Sequence, residues 1–143
     1  MNLEPFTGIL TLAVFTPLAG AVLILFAARK DSVIRLIALS VTLFDLILSG
    51  MIFVVFDESS SQRFQMIDRF EWFSSQAINV TYQMGIDGLS APLVLLTGLL
   101  GFVAVLASWK ISLRVKEYFV WILVLQTAVM GVFTSLDFIL FFV

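Results

Sequence analysis

Long apolar runs alternate with short polar connectors along this 143-residue chain. Four of the runs reach or approach the roughly 20 residues that a helix needs to cross a bilayer. They are Ile9–Ala28, Leu36–Phe56, Leu89–Ser108 and Phe119–Leu136. Another apolar run follows Asp137, and we expect it to be the start of a fifth helix. The pattern predicts a single membrane domain over residues 1–143, an all-α polytopic membrane protein with four complete transmembrane helices.

The connector between the second and third runs, residues 57–88, is too long for a simple turn between two helices. Its segment INVTYQMGI alternates apolar and polar side chains with a period of two, which predicts a β-strand. The preceding RFQMIDRFEWF is compatible with a partner strand or with a helix in the membrane interface, where Trp72 and Phe73 would lie. We therefore expect a long external loop with room for a short β-hairpin.

The basic residues predict the orientation in the membrane. Six of the eight Lys and Arg residues fall in two connectors, residues 29–35 and 109–118, which follow the first and third predicted helices. Both connectors then lie on one side, and the positive-inside rule makes that side the cytoplasm. We expect a multi-pass protein of the cell inner membrane with its N-terminus outside. That N-terminus, MNLEPF, lacks the basic segment of a secretory signal, so we interpret it as the mature start.

Composition excludes several function classes. The chain is 61% hydrophobic and only 13% charged, so its solvent is the lipid bilayer. It contains no Cys and no His, which excludes disulfides, thiolate metal sites and the commonest general base. A net charge of −2 provides no basic face for nucleic acid. We find no phosphate-binding loop, dinucleotide fingerprint or metal cluster, and so expect no cofactor and no metal on this chain.

Asp45 is the least expected residue, because it lies at the centre of a predicted span. An ionised Asp there costs about 3 kcal/mol on insertion scales. None of the four predicted spans contains Lys or Arg, so we expect no ion pair. Either the carboxyl is neutral, or it faces a polar partner that this chain does not supply. One hypothesis makes Asp45 a proton-path residue; the other makes it a neutral carboxyl hydrogen-bonded to Ser49 or to another helix.

Asp87 and Asp137 each precede an apolar run. Asp is a preferred N-cap, since its carboxylate accepts hydrogen bonds from the unpaired backbone N–H groups of the first helical turn. We expect Asp87 to cap the third helix, with Ser90 as an alternative, in a turn that Gly85 and Gly88 make flexible. Asp137 is either the cap of the fifth helix or a residue at the mouth of a proton path.

Two further features of the spans favour packing between helices. Thr97, Gly101, Ala104 and Ser108 follow one another at helical spacing and form a stripe of small residues. Such stripes allow a second transmembrane helix to approach closely. Gln126 lies within the fourth span, where its amide can hydrogen-bond to another helix.

The segment from Tyr82 to Ser108, YQMGIDGLSAPLVLLTGLLGFVAVLAS, resembles the M-type (chain 4) subunit of NADH-quinone oxidoreductase, respiratory complex I. This antiporter-like family has a near-identical GIDGLS ahead of its third helix. Here that signature contains Gly85, Asp87, Gly88 and Ser90. EYFVWILVLQTAVMGVF (117–133) and LDFILFFV (136–143) match as well, so the resemblance covers most of the chain.

The resemblance implies that this chain is the N-terminal part of a larger subunit of the membrane arm. It implies proton translocation driven by electron transfer from NADH to quinone, with NAD and quinone used by the whole complex. The implied partners are other membrane subunits. The family's proton-path Glu and Lys residues are expected beyond Val143, so no catalytic residue transfers by motif match. Asp137 matches a recurring family Asp, Asp45 matches no family motif, and Gln126 stands where many members have Glu.

Two alternatives remain open at this point. A related cation/proton antiporter or hydrogenase membrane subunit shares the looser pattern D-x-L-S, and GIDGLS favours complex I over it. A small non-catalytic packing protein is the second alternative, and the abrupt end within FILFFV argues against it. We expect the 143-residue chain by itself to be inactive in proton translocation.

Overall fold

The computed structural model describes residues 8–56, 65–74 and 79–135, with side chains described for 8–56 and 84–135. It contains four helices and two strands over this part of the chain. They are α1 (Ile9–Ala27), α2 (Asp31–Val55), β1 (Gln65–Ser74), β2 (Asn79–Ile86), α3 (Ser90–Ala107) and α4 (Val115–Thr134). All four helices are long and apolar enough to cross a membrane, which confirms the predicted fold class. The predicted start of a fifth helix, with Asp137, lies outside the described residues.

The second and fourth helices begin earlier than their apolar runs. We expected starts at Leu36 and Phe119, whereas α2 begins at Asp31 and α4 at Val115. The first turns of these helices contain Asp31 and Glu117, whose negative charges suit the positive end of the helix dipole. A count of apolar residues misses these turns, because a membrane helix can begin in the polar interface, before its apolar run starts.

Two clusters of buried apolar side chains hold the helices together, one at each end of the bundle. The first cluster contains Leu10, Ala13, Val14, Leu48, Ile52, Met84, Ile86, Ala91, Val94 and Met130. The second contains Ala21, Ile24, Ala28, Ile34, Ala38, Val105, Val115, Phe119 and Leu123. Each helix contributes its beginning to one cluster and its end to the other. The four helices therefore run alternately up and down.

The two strands form an antiparallel hairpin at the end of the bundle that holds the first cluster. Phe70 pairs with Tyr82, and the pairing is irregular near both ends of β1. From Gln65 onward, the segment RFQMIDRFEWF thus forms a partner strand and not an interfacial helix. The end of β2 enters the bundle, because Met84 and Ile86 are buried in the first cluster and Met84 forms a β-bridge with Ser135. The hairpin closes this end against the last turn of α4.

The two basic connectors lie side by side at the other end of the bundle. Arg35 Nη2 donates a hydrogen bond of 2.8 Å to the backbone carbonyl of Ile111. Near it, the hydroxyls of Ser108 and Tyr118 are 2.8 Å apart and join the end of α3 to the start of α4. Six Lys and Arg residues therefore gather at one end, opposite the hairpin.

Glycines allow consecutive helices to approach each other closely. A Cβ atom added at Gly20 of α1 would lie 2.7 Å from Cγ2 of Val41 on α2. A Cβ atom added at Gly98 of α3 would collide with Oγ of Ser49 on α2. Apolar surface is covered by lipid as well as by protein in a membrane, so close backbone approach of this kind is a main source of helix association.

Candidate functional site

Asp45 is fully buried in the middle of α2. Its Oδ2 accepts a hydrogen bond from Nε2 of Gln126, which lies on α4, 81 residues later in the chain. Of the alternatives left open by the sequence, the structure therefore shows a hydrogen bond to another helix of this chain. Of the expected partners, another helix supplies the contact, and Ser49 does not.

The hydroxyl groups near Asp45 bond to the backbone of their own helix. Ser49 Oγ donates to the backbone carbonyls of Asp45 and Leu46, at 2.8 and 3.0 Å. Thr42 Oγ1 makes the same kind of bond to the carbonyl of Ala38 at 2.9 Å. Among the described residues, only Gln126 donates to the Asp45 carboxyl. The described part of the chain thus offers a single polar contact at Asp45, not a series of polar groups.

Two oxygen atoms of this pair have no hydrogen-bond partner among the described residues. They are Oδ1 of Asp45 and Oε1 of Gln126, and both are shielded from solvent. Buried polar atoms are nearly always satisfied, and each exception in a membrane interior is costly. Within the described residues, the other buried side-chain atom without a partner is Nε of Arg35, near the basic end of the bundle, so the Asp45–Gln126 pair is the unsatisfied polar group in the middle of the helices.

Gly101 of α3 provides the space for the Gln126 amide. A Cβ atom added at Gly101 would overlap with the Oε1, Cδ and Nε2 atoms of Gln126. Gly101 belongs to the predicted stripe of small residues, and α4 is the helix that approaches it. The same stripe ends at Ser108, which contacts Tyr118 of α4. The stripe on α3 thus leaves room for the Gln126 amide of α4 to contact Asp45 on α2.

A cavity of about 250 Å³ lies between α3 and α4, beside Gln126. It is lined by Thr97, Leu100, Gly101, Ile122, Leu125, Gln126 and Val129. Thr97 Oγ1 donates to the carbonyl of Leu93 at 2.8 Å, so the cavity walls are almost entirely apolar. Asp45 does not line the cavity. Gln126 therefore contacts both the carboxyl and this space.

The signature segment begins α3. Oδ1 of Asp87 accepts hydrogen bonds from the backbone N–H groups of Ser90, at 2.8 Å, and Leu89, at 3.2 Å. The backbone carbonyl of Asp87 also accepts the N–H of Ala91 at 3.1 Å. This is the geometry of an N-cap, with Asp87 rather than Ser90 in the capping position. Gly85 is buried in β2, and Gly88 is exposed in the turn.

Removing this cap should weaken α3 measurably. We expect Asp87→Ala to lower the free energy of unfolding by about 1 kcal/mol, because two N–H groups of the first turn lose their acceptor. Asp87→Asn keeps a capping oxygen and should lose only a few tenths of a kcal/mol. Reversible unfolding in mixed detergent and SDS micelles, followed by far-UV circular dichroism, measures both. Equal losses in the two variants would contradict a capping role.

The structure brings together some of the predicted residues and not others. Asp45 and Gln126 meet, whereas Asp87 lies at the hairpin end of the bundle. Asp137 is outside the described residues. Within the described ranges, no group of three or more acidic side chains is placed to hold a metal ion. The sequence contained one signal for the pair: Asp45 and Gln126 are the only charged or amide side chains in the four predicted spans.

Curated proteins match this chain over nearly its whole length. The chain is 34% identical over 144 residues to NAD(P)H-quinone oxidoreductase chain 4 2 of Thermosynechococcus vestitus, a match that covers 99% of this chain. The chloroplastic chain 4 proteins of Mesostigma viride and Chara vulgaris are 37% and 34% identical, over 93% and 99% of the chain. This chain is similar in sequence to chain 4 of the NAD(P)H-quinone oxidoreductases.

The similarity confirms the resemblance found in the signature segment. No family model matches the chain. The matches cover 26% of the Thermosynechococcus and Mesostigma proteins and 28% of the Chara protein. The chain thus spans about a quarter of the length of these chain 4 relatives. The Asp45–Gln126 pair and the capped start of α3 both lie inside the matched region.

Proposed function

We propose that this chain is part of a membrane-arm subunit of NADH-quinone oxidoreductase, which couples electron transfer from NADH to quinone to proton translocation. The observation that supports this proposal is the homology to chain 4 over 93–99% of the chain in three relatives. NAD and quinone are used by the whole complex, at sites outside this chain. Other membrane subunits and the remainder of a chain 4 protein are its partners, together with lipid.

The proposed orientation puts both basic connectors in the cytoplasm and the hairpin outside, in the cell inner membrane. The bond from Arg35 to the carbonyl of Ile111 supports one shared side for these connectors. The positive-inside rule supports the cytoplasmic assignment, because these connectors contain six Lys and Arg residues.

Cysteine labelling tests this orientation cleanly, because the chain has no Cys of its own. Single variants Lys30→Cys and Lys110→Cys are expected to react with a membrane-impermeant maleimide only in inside-out vesicles. Gly88→Cys, in the exposed turn before α3, should react only in right-side-out vesicles. Reaction of Lys30→Cys and Lys110→Cys from opposite sides would contradict the proposed topology.

The proposed chemical role of this chain is to form part of the scaffold beside a proton path. By the resemblance, the main proton-path Glu and Lys residues belong to later helices. Asp45 and Asp137 are the acidic candidates of this chain for such a path. The apolar faces of the bundle, such as those around Leu100 and Leu125, are exposed to lipid or to further helices. We propose that the 143-residue chain alone does not translocate protons.

A tagged copy of the gene, expressed in its own cells, tests the proposed function. Solubilised membranes are separated on a blue-native gel, stained for NADH oxidation and probed for the tag. We expect the tag to migrate with the band that oxidises NADH. A tag in a large complex without NADH oxidation would favour an antiporter or hydrogenase subunit. Migration as a small species would favour a packing protein.

A further inference from the structure

The buried Asp45–Gln126 pair lacks one hydrogen-bond donor. Gln126 Nε2 donates to Asp45 Oδ2, while Asp45 Oδ1 and Gln126 Oε1 have no partner in the described part of the chain. A carboxylate and an amide oxygen are both acceptors only. One proton on the carboxyl turns Oδ1 into a donor and gives both remaining oxygens a partner.

The orientation of the Gln126 amide does not change this conclusion. The nitrogen and oxygen of a glutamine amide are assigned from their surroundings. If they are exchanged, Gln126 Oε1 faces Asp45 Oδ2, and two acceptors then lie in contact. That contact is attractive only when a proton lies between the two oxygens. In either orientation the pair needs one proton more than an ionised carboxyl supplies.

No charged side chain of the described helices is close enough to stabilise an ionised Asp45. Helices α1 and α3, which pack against α2, contain no charged residue. Apart from Asp45, the charged residues of α2 are Asp31 and Arg35, near its start. Those of α4 are Lys116 and Glu117, also near its start. The smallest separation along one helix is the nine residues between Glu117 and Gln126, a rise of about 14 Å. An isolated carboxylate at this depth is energetically costly, so the ionised form of Asp45 is disfavoured.

We propose that Asp45 and Gln126 form a proton-binding site inside the membrane. The Asp45 carboxyl is protonated at neutral pH, and its Oδ1–H group donates to Oε1 of Gln126. Together with the bond from Nε2 to Oδ2, this closes a ring of two hydrogen bonds between acid and amide. The ligand of the site is a proton. The inference rests on the geometry of this chain and does not depend on the proposed function.

Infrared spectroscopy of the 143-residue chain in lipid vesicles tests this proposal, because a protonated carboxyl has a C=O band separate from the carboxylate bands. We expect such a band at pH 7 in the wild type. Asp45→Asn, which keeps a hydrogen-bonding group of the same shape, should remove it. The control Asp31→Asn, at an exposed position in the first turn of α2, should leave it unchanged. Gln126→Leu should shift the band to higher frequency, because the carboxyl loses its hydrogen-bond partner.

Labelling the wild type with ¹³C-carboxyl aspartate assigns the band without using any variant, so the result does not depend on whether a variant folds. The band should move to lower frequency with the label, which assigns it to an Asp. Absence of a protonated Asp band at pH 7 would overturn the proposal and indicate that a donor from another helix satisfies both oxygens. Persistence of the band in a folded Asp45→Asn variant would overturn it as well. Far-UV circular dichroism establishes that each variant is folded.

Discussion

Gly101→Val should destabilise the bundle by about 2–4 kcal/mol, the combined cost of overpacking and of a lost interhelical hydrogen bond. The position of a Cβ atom at residue 101 is already occupied by the amide of Gln126. The amide has to leave this position, and it then loses its bond to Asp45. Gly101→Ala should have a smaller effect of the same sign. Unfolding in mixed detergent and SDS micelles measures the difference.

Gly50 provides a matched control for this prediction. It lies in α2, five residues from Asp45, and a Cβ atom added there meets no heavy atom within 4 Å. Gly50→Ala and Gly50→Val should therefore change the free energy of unfolding by less than about 1 kcal/mol. Ala and Val have a higher helix propensity than Gly, so propensity cannot cause a loss of stability at either position. If the variants at Gly50 lose as much as those at Gly101, the contact with Gln126 does not set the cost.

The second large effect is expected at Gln126. Gln126→Leu leaves the Asp45 carboxyl buried without its donor, and we expect a loss of about 2–3 kcal/mol. The double variant Asp45→Leu/Gln126→Leu should recover most of this loss. Replacing both members of a buried polar pair by apolar groups is far less costly than removing one of them.

The four proteins of this double-mutant cycle yield the coupling energy between Asp45 and Gln126 directly. We expect a favourable coupling of about 1–2 kcal/mol, the upper part of the range for interhelical hydrogen bonds in membranes. Additive losses in the two single variants would mean that the hydrogen bond contributes nothing to stability. In that case the pair would have to be explained by another role.

The four membrane helices of the described residues were predictable from the sequence, because the length of an apolar run is itself the signal. The starts of α2 and α4 were not, since their first turns contain charged residues such as Asp31 and Glu117 that belong to the membrane interface. The strand β2 was predicted from its period of two. Its partner β1 remained one of two alternatives until the structure placed it.

The contact between Asp45 and Gln126 was only half predictable. Both residues stood out as polar groups in apolar spans, and Gln126 was expected to bond to another helix. In lipid, however, a helix is apolar on its inner and outer faces alike, so periodicity does not identify the face that meets a neighbour. For the same reason, the contact between Gly98 of α3 and Ser49 of α2 could not be predicted.

The distance between Asp45 and Gln126 along the chain has a consequence for biosynthesis. They are 81 residues apart, and a ribosome that adds 5–20 residues per second needs about 4–16 s to pass from one to the other. Helix α2 can therefore reach the insertion machinery before its partner helix has been made. During that interval a protonated Asp45 avoids the cost of a bare charge in lipid, and the arrival of α4 ends its exposure.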